Sequence, residues 1–224
     1  SGTQANKLAA VAEEIRRGDR ALAAGAASEA VLHYGAAREA GGADGALVTL
    51  KLCEAHYELA EAYYGEWAKL SGVTAPSVVY DMERAYSDAV VQADPAVMAN
   101  CEAAMRNYDR VIEEGKKIER FPDENGCWWK AQYLLGNSYL RGLLMVNKSP
   151  VDPRGTKVRR LFRECVQSYK NALAGRPAHM TEADKVWETY IKQNLELALA
   201  LERGFAASLE AQESEVVNWS DAEE

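Results

Sequence analysis

The sequence predicts an all-α protein built from antiparallel helix hairpins, and three observations lead to this prediction. Apolar residues recur three and four positions apart in long runs, which is the spacing of one face of a helix. Glycine and proline separate these runs, as at Gly41-Gly42 and Asp94-Pro95, and both residue types end helices. Alternating β-branched residues, which would indicate strands, form no run. Six prolines and three phenylalanines beside abundant Ala, Glu, Leu and Arg also favour helix over sheet.

Length and charge limit the classes of function. A chain of 224 residues can bury a core without disulfides or a metal. The net charge of −8 argues against a nucleic-acid partner, because a phosphate-binding surface needs clustered Lys and Arg. The best basic cluster lies on one helix and is interpreted as a solvated face; it comprises Lys157, Arg159, Arg160 and Arg163. No apolar run of about 18 residues predicts a transmembrane segment.

The cysteines and the N-terminus say little about the compartment. Cys53, Cys101, Cys127 and Cys165 are far apart and lie in or beside helical patterns. Without a CxxC pair they predict buried free thiols and no zinc site. The sequence shows no signal peptide or initiator methionine, and the compartment stays open. A cytoplasmic location is slightly favoured, and the alternative is a periplasmic or lipid-anchored form whose targeting segment was removed.

Breaks and periodicity divide the chain into elements. We expect one domain over residues 1–212, with helix hairpins at about 8–41, 46–94 and 126–177, an extra helix at 96–118 and a capping helix at 182–212. The second hairpin would use a helix at 78–93. The last hairpin carries an insertion at 141–155, and residues 213–224 are predicted to form an acidic flexible tail.

Small and aromatic residues recur at matching places in the first and last hairpins. The first has Gly18, Ala30, Tyr34 and Ala37, and the last has Leu135, Gly136, Tyr139, Tyr169, Ala172 and Pro177. This pattern resembles the tetratricopeptide repeat (TPR), a helix pair of about 34 residues. The middle hairpin would be a degenerate copy with a longer loop. The resemblance implies an α-solenoid, in which the first helix of each hairpin lines a concave groove for a peptide partner.

The resemblance places the candidate binding residues on the first helix of the last hairpin. Lys130, Tyr133, Asn137 and Arg141 recur at spacings of three to four there and offer a polar and aromatic lining, with Trp129 beside them. The matching places of the first hairpin hold Ala12, Ile15, Asp19 and Leu22. They lack the Lys and Asn with which some family members hold a C-terminal carboxylate. Packing of Tyr133 and Trp129 against the neighbouring hairpin is the alternative.

Tryptophans form a second set of candidates. Because adjacent helical residues point about 100° apart, Trp128 and Trp129 cannot both face one core, and one is expected at a helix seam, a groove or an oligomer interface. Trp67 and Trp219 are further interface candidates. Trp219 lies among acidic residues, similar to the tryptophan-acidic peptides that some TPR domains recognise; an unstructured solubilising tail is the alternative. A homo-oligomer is left open.

The sequence contains no recognised catalytic motif. The sequence has no GxSxG, HExxH, P-loop or GxGxxG motif. Cys53 and His56 could share a helix face, but no third residue orients them. We therefore expect a non-enzymatic scaffold or adaptor that binds a protein or peptide and needs no metal or cofactor. The alternative is a small-ligand or lipid-binding accessory protein, extracytoplasmic and transporter-associated, which the apolar Ile15 and Leu22 would permit.

Overall fold

The computed structural model describes residues 2–41, 45–72, 91, 93–120, 126–146 and 156–221, with side chains described as far as residue 211. These ranges contain helices and no strand, which confirms the all-α prediction. The helices are α1 (Gly2–Ala23), α2 (Ala27–Glu39), α3 (Gly45–Ser71), α4 (Pro95–Gly115), α5 (Cys127–Val146), α6 (Thr156–Ala174) and α7 (Glu182–Asp221). In this part of the chain no helix is long and apolar enough to cross a membrane.

The observed helices differ from the predicted elements at two places. α7 continues to Asp221, so most of the segment predicted as a flexible tail from residue 213 is helical. Arg141 and the residues up to Val146 extend α5, so the predicted insertion begins inside a helix. The rest of that insertion, 147–155, and most of the predicted helix at 78–93 lie outside the described residues.

The helices pack in chain order, each against the next. α3 also contacts α5, and α5 contacts α7. Local sequence explains several helix ends. Asp94 caps α4, because its carboxylate accepts the amide protons of Ala96 (2.9 Å) and Val97 (3.3 Å). At the start of α7 the Thr181 hydroxyl accepts from the Asp184 amide at 3.1 Å, and the Asp184 carboxylate accepts from the Thr181 amide at 3.0 Å.

A buried tyrosine fills the space between paired helices at three places, which we call the tyrosine junctions. In the first, a β-carbon added at Gly18 of α1 would lie 2.4 Å from Cε1 of Tyr34 in α2. In the third, a β-carbon added at Gly136 of α5 would lie 2.5 Å from Cε1 of Tyr169 in α6. Glycine is therefore required at both positions by the close approach of the ring. These are the glycine and tyrosine positions that matched in the sequence.

The second junction joins α3 and α4. Tyr108 of α4 packs in one buried cluster with Ala60 of α3, and its hydroxyl donates a hydrogen bond to Glu61. The sequence predicted this helix as an extra element between two hairpins. Its tyrosine instead contacts α3 in the way that the tyrosines of α2 and α6 contact α1 and α5.

Each junction has a small residue opposite the tyrosine: Gly18, Ala60 or Gly136. The residue that follows it accepts a hydrogen bond in all three junctions. Asp19, Glu61 and Asn137 each accept a hydrogen bond from the hydroxyl of the tyrosine. Each also binds a side chain from the next helix but one. Lys51 of α3 lies 2.6 Å from Asp19, Arg141 of α5 makes two bonds of 2.9 Å to Glu61, and Asn194 of α7 lies 2.9 Å from Asn137. The polar positions therefore connect α1 to α3, α3 to α5 and α5 to α7.

A candidate binding groove on the odd-numbered helices

A cavity of about 710 Å³ lies between the odd-numbered helices, beside the polar residues of the first and third junctions. Its walls come from α1, α3, α5 and α7, and Tyr34 of α2 also lines it. The aromatic lining residues are Tyr34, Tyr57, Tyr133, Trp187 and Tyr190. The polar ones are Asp19, Lys51, Glu54, Glu58 and Asn137, and the apolar ones are Leu22, Ala23 and Leu134. We call this cavity the groove.

Helical spacing brings these side chains to the groove. On α3, residues 51, 54 and 58 lie three and four apart, which puts Lys51, Glu54 and Glu58 on one face. Tyr133 and Asn137 on α5 are four apart in the same way. α3 and α5 each contribute polar and aromatic side chains to the groove. α1 contributes Asp19 and two apolar residues, and α7 contributes the rings of Trp187 and Tyr190.

Aromatic rings form the wall between α5 and α7. The rings of Tyr133 and Trp187 meet edge to face, with centroids 5.1 Å apart. Tyr133 also lies 6.4 Å from Tyr169 of the third junction, and Trp187 lies 6.2 Å from Trp129. Tyr190, one turn along α7, is 51% exposed. The wall is thus anchored in the core at one end and open to solvent at Tyr190.

The charged residues of the groove are unequally paired. The Lys51 ammonium binds Asp19 at 2.6 Å, and Tyr34 donates to the same carboxylate at 2.7 Å. Burial raises the pKa of the Asp19 carboxyl, but these two hydrogen bonds outweigh it and leave the pKa below its usual value. Glu54 and Glu58 make no hydrogen bond or ion pair within the described ranges. Burial also raises the pKa of Glu54, because its ionised form is poorly solvated.

Two of the five predicted groove residues line the groove. Tyr133 and Asn137 are part of its wall. The Asn137 side chain is nearly buried, and its carbonyl oxygen accepts from the Tyr169 hydroxyl (2.7 Å) and from Asn194 (2.9 Å). Its oxygen is therefore occupied by the protein itself, and Asn137 shapes the groove more than it offers a free acceptor.

The other three predicted residues lie beside the groove. The Lys130 ammonium is 3.6 Å from the Asp184 carboxylate and 5.5 Å from the centroid of the Trp187 ring. Arg141 is bound to Glu61, and its guanidinium lies 4.4 Å from the centroid of the Tyr64 ring. Trp129 is buried in the core among α5, α6 and α7. The alternative for Trp129 was packing against the neighbouring hairpin; in the structure it packs with α6 of its own hairpin and with Trp187 of α7.

The candidate interface tryptophans have different environments. Trp67 is fully buried in the cluster between α3 and α4. Trp128 is half-buried at the seam where α6 ends, 5.0 Å from the Arg120 guanidinium and in close contact with Gly175. Trp219 lies within α7, and its side chain is outside the described part. One of the adjacent pair therefore lies in the core and the other at a helix seam.

Sequence reasoning missed the contribution of α3 and α7 to the groove. Lys51, Glu54 and Glu58 looked like part of an amphipathic helix, and Trp187 and Tyr190 belonged to a helix interpreted as a cap. A signal was present in the chain. A polar residue follows the small residue in all three junctions, at Asp19, Glu61 and Asn137. It marks the side of each helix that meets both the tyrosine of the paired helix and the next helix but one.

Cys53 and His56, the two reactive side chains that could share a face of α3, each have another partner in the described part of the chain. Cys53 lies 3.8 Å from the carbonyl oxygen of Val111, and burial raises the pKa of its thiol to about 12. His56 pairs with Asn107 at 3.1 Å instead of with Cys53. Among the residues described, no cluster of His, Cys, Asp and Glu could hold a metal ion.

Comparisons of the chain with protein-family models, with curated proteins and with solved structures found no match.

Proposed function

We propose that this protein is a non-enzymatic scaffold, that its helix pairs form a TPR-like array, and that a peptide or protein partner binds in the groove. The observation that carries the proposal is the groove itself. Four helices from distant parts of the sequence contribute to one cavity of about 710 Å³, and its walls hold five aromatic rings. Three junctions of the same construction support the array.

The lining suits a peptide because it combines apolar contact area with polar edges. Tyrosine and tryptophan side chains bury a large area at a small entropic cost and are enriched where binding energy concentrates. Tyr190 is the most informative of them. It is 51% exposed, it lines the groove, and it makes no hydrogen bond within the described ranges, so its removal changes the binding surface with little effect on folding.

The test is a selection of binding peptides from a random-peptide display library. Wild-type protein is used for selection, and the enriched peptides are measured against Tyr190→Ala and against Tyr63→Ala. Tyr63 is a matched control, since it is an exposed tyrosine of α3 outside the groove. We expect Tyr190→Ala to weaken binding by at least about tenfold, because truncating an aromatic residue at a binding hot spot costs about 2 kcal/mol. Tyr63→Ala should bind as the wild type does.

Two results would contradict the proposal. Peptides that bind both variants equally well would place the binding surface elsewhere on the molecule. A selection that enriches no peptide would contradict the proposal that the groove binds peptides. Circular dichroism of both variants separates lost binding from lost helix.

The size of the groove favours one second candidate, the binding of a small ligand. Its volume lies within the range of about 300–1,000 Å³ for small-molecule sites. Of the two apolar residues that suggested this function, Leu22 lines the groove, whereas Ile15 packs against the cluster of Val11, Ala37 and Val48. Native mass spectrometry of protein purified from its source tests this candidate. A bound small molecule that is lost in Tyr190→Ala would favour it over the peptide.

A further inference from the structure

We propose that the groove selects a positively charged group, and that the partner is a peptide which presents a lysine or arginine side chain to Glu54 and Glu58. This inference rests on the peptide-binding function proposed above and adds the chemistry of the bound residue.

The charge balance of the lining is the first observation. One lysine stands against three carboxylates, those of Asp19, Glu54 and Glu58. The lysine, Lys51, is bound to Asp19 at 2.6 Å. Two carboxylates of α3 therefore face the groove with no ion pair within the described ranges, and an incoming cation would find acceptors without displacing a partner.

The two cations that act on Glu54 already have other partners. They are Lys51 and Lys130. Lys130 lies 3.6 Å from Asp184 and over the rings of Trp187 and Trp129. Both lysines are thus held by carboxylates other than Glu54, so the two lysines leave Glu54 without an ion pair in the described residues.

The aromatic rings favour the same kind of ligand. Tyr57 lies next to Glu58 on α3, and the rings of Tyr133, Trp187 and Tyr190 form the facing wall. A ring face attracts an ammonium or guanidinium group within about 6 Å. The protein already uses this interaction at the groove edge, where the Lys130 ammonium lies 5.5 Å from the Trp187 ring. A cation of the partner would thus find a ring and a carboxylate together.

Partial burial strengthens the expected pairing. Glu54 is half-buried, so its charge is less screened by water and salt than a charge on the open surface. Glu58 is exposed and would attract the partner before contact. We therefore expect Glu54 to contribute mainly to affinity and Glu58 mainly to the rate of association.

The test compares two fluorescent peptides that differ in the charge of their side chains. One alternates lysine with alanine, and the other alternates acetyl-lysine with alanine; acetylation keeps the aliphatic stem, adds an acetyl group and removes the charge. Their dissociation constants are measured by fluorescence anisotropy with the wild type, with E54Q/E58Q, with Tyr190→Ala, and with Glu102→Gln. Glu102 is a control, because it is exposed on α4, lies outside the groove and forms no ion pair within the described residues.

We expect the lysine peptide to bind the wild type at least about tenfold more tightly than the acetylated peptide, since hydrogen bonds to charged groups are worth more than neutral ones. The E54Q/E58Q variant should lose about tenfold in affinity for the lysine peptide, and Glu102→Gln should lose none. Binding to the wild type should also weaken as salt is added.

Three results would overturn the inference. In the first, both peptides bind with equal affinity and both are lost in Tyr190→Ala, which would leave the groove as a peptide site without charge selectivity. In the second, the lysine peptide binds E54Q/E58Q as tightly as the wild type. In the third, neither peptide binds the wild type. The display selection described above then decides separately whether the groove binds peptides of another chemistry.

Discussion

The first and third tyrosine junctions have the same packing and opposite polar surroundings. Both place a tyrosine ring against a glycine, and in both the hydroxyl donates to the next residue at 2.7 Å. In the first junction that residue is Asp19, whose side chain is 47% exposed and pairs with a lysine. In the third it is Asn137, 6% exposed and bound to another amide. The glycine–tyrosine contact is the same in both junctions because the ring leaves no room for a side chain. The residue that accepts from the hydroxyl is charged where it is exposed and neutral where it is buried.

The polar residues of the second junction are intermediate in their exposure to solvent. Glu61 and Arg141 retain 26% and 31% side-chain exposure and form an ion pair with two hydrogen bonds of 2.9 Å. A charge is tolerated there because every carboxylate oxygen is paired with the guanidinium. A fully buried position with a single partner would be costly for a charged residue, which explains an amide at position 137. The three junctions thus use charge only where water or a bidentate partner can balance it.

The largest effect that tests the comparison is expected from Gly136→Ala. The new β-carbon would lie 2.5 Å from the Tyr169 ring, and both helices of this pair are held by further neighbours. We expect the free energy of unfolding to fall by about 2 kcal/mol, the cost of overpacking less the gain in helix propensity. Gly18→Ala should cost less, because among the described helices α1 packs mainly against α2 and has fewer neighbours to hold it in place. Urea unfolding of both variants measures the difference.

Gly35→Ala is the control for both glycine variants. Gly35 lies inside α2 with no atom within 4 Å of its added β-carbon, so alanine there should raise the free energy of unfolding by up to about 1 kcal/mol. Equal losses from Gly18→Ala and Gly136→Ala would contradict the view that the third junction is the more constrained one.

A smaller effect is expected when the tyrosine hydroxyls are removed. Tyr169→Phe leaves a buried amide oxygen with Asn194 as its remaining partner, and we expect a loss of about 1–2 kcal/mol in the free energy of unfolding. Tyr34→Phe should cost less than about 1 kcal/mol, because Asp19 keeps Lys51 and contact with water. Thermal unfolding followed by circular dichroism measures both. If Tyr34→Phe lowered the free energy of unfolding more than Tyr169→Phe, the hydroxyl of the first junction would contribute more to stability than that of the third, contrary to our expectation.

The sequence predicted the helices of this molecule and two of its glycine–tyrosine contacts, but it did not predict which distant helices contact one another. Helical spacing and glycine breaks were sufficient for the helices, and the match between the two glycine–tyrosine pairs located the first and third junctions. The second was not recognised, because Ala60 stands where the others have glycine and Tyr108 follows after a long interval. Periodicity identifies which face of a helix is apolar. It does not identify which helix the other face meets.

The same reason explains the mixed result for the groove. Lys130, Tyr133, Asn137 and Arg141 share one side of α5, as spacing predicted. Arg141, however, binds Glu61 of α3, a residue 80 positions away in the chain. Whether a basic side chain lines a groove or closes an ion pair depends on the neighbouring helix. The spacing within one helix therefore could not distinguish Arg141 from Tyr133.

The smallest expected effect is a dependence on pH that the first junction has and the third lacks. The pKa of Asp19 in the folded protein is below its ordinary value of 3.8, so its ionisation stabilises the fold above that pH. This contribution is lost as the pH falls through the lowered pKa. Because Asp19 is nearly half exposed, we expect Asp19→Asn to cost less than about 1 kcal/mol at neutral pH, with the difference from the wild type shrinking below pH 3.8.

Urea unfolding of the wild type and Asp19→Asn across this pH range measures the effect, with Glu102→Gln as the exposed control that should follow the wild type. A difference that stays constant with pH would mean that the shape and hydrogen bonds of residue 19 matter and its charge does not. The first junction would then be equivalent to the third, where an amide in the same position already accepts from both the tyrosine and the next helix but one.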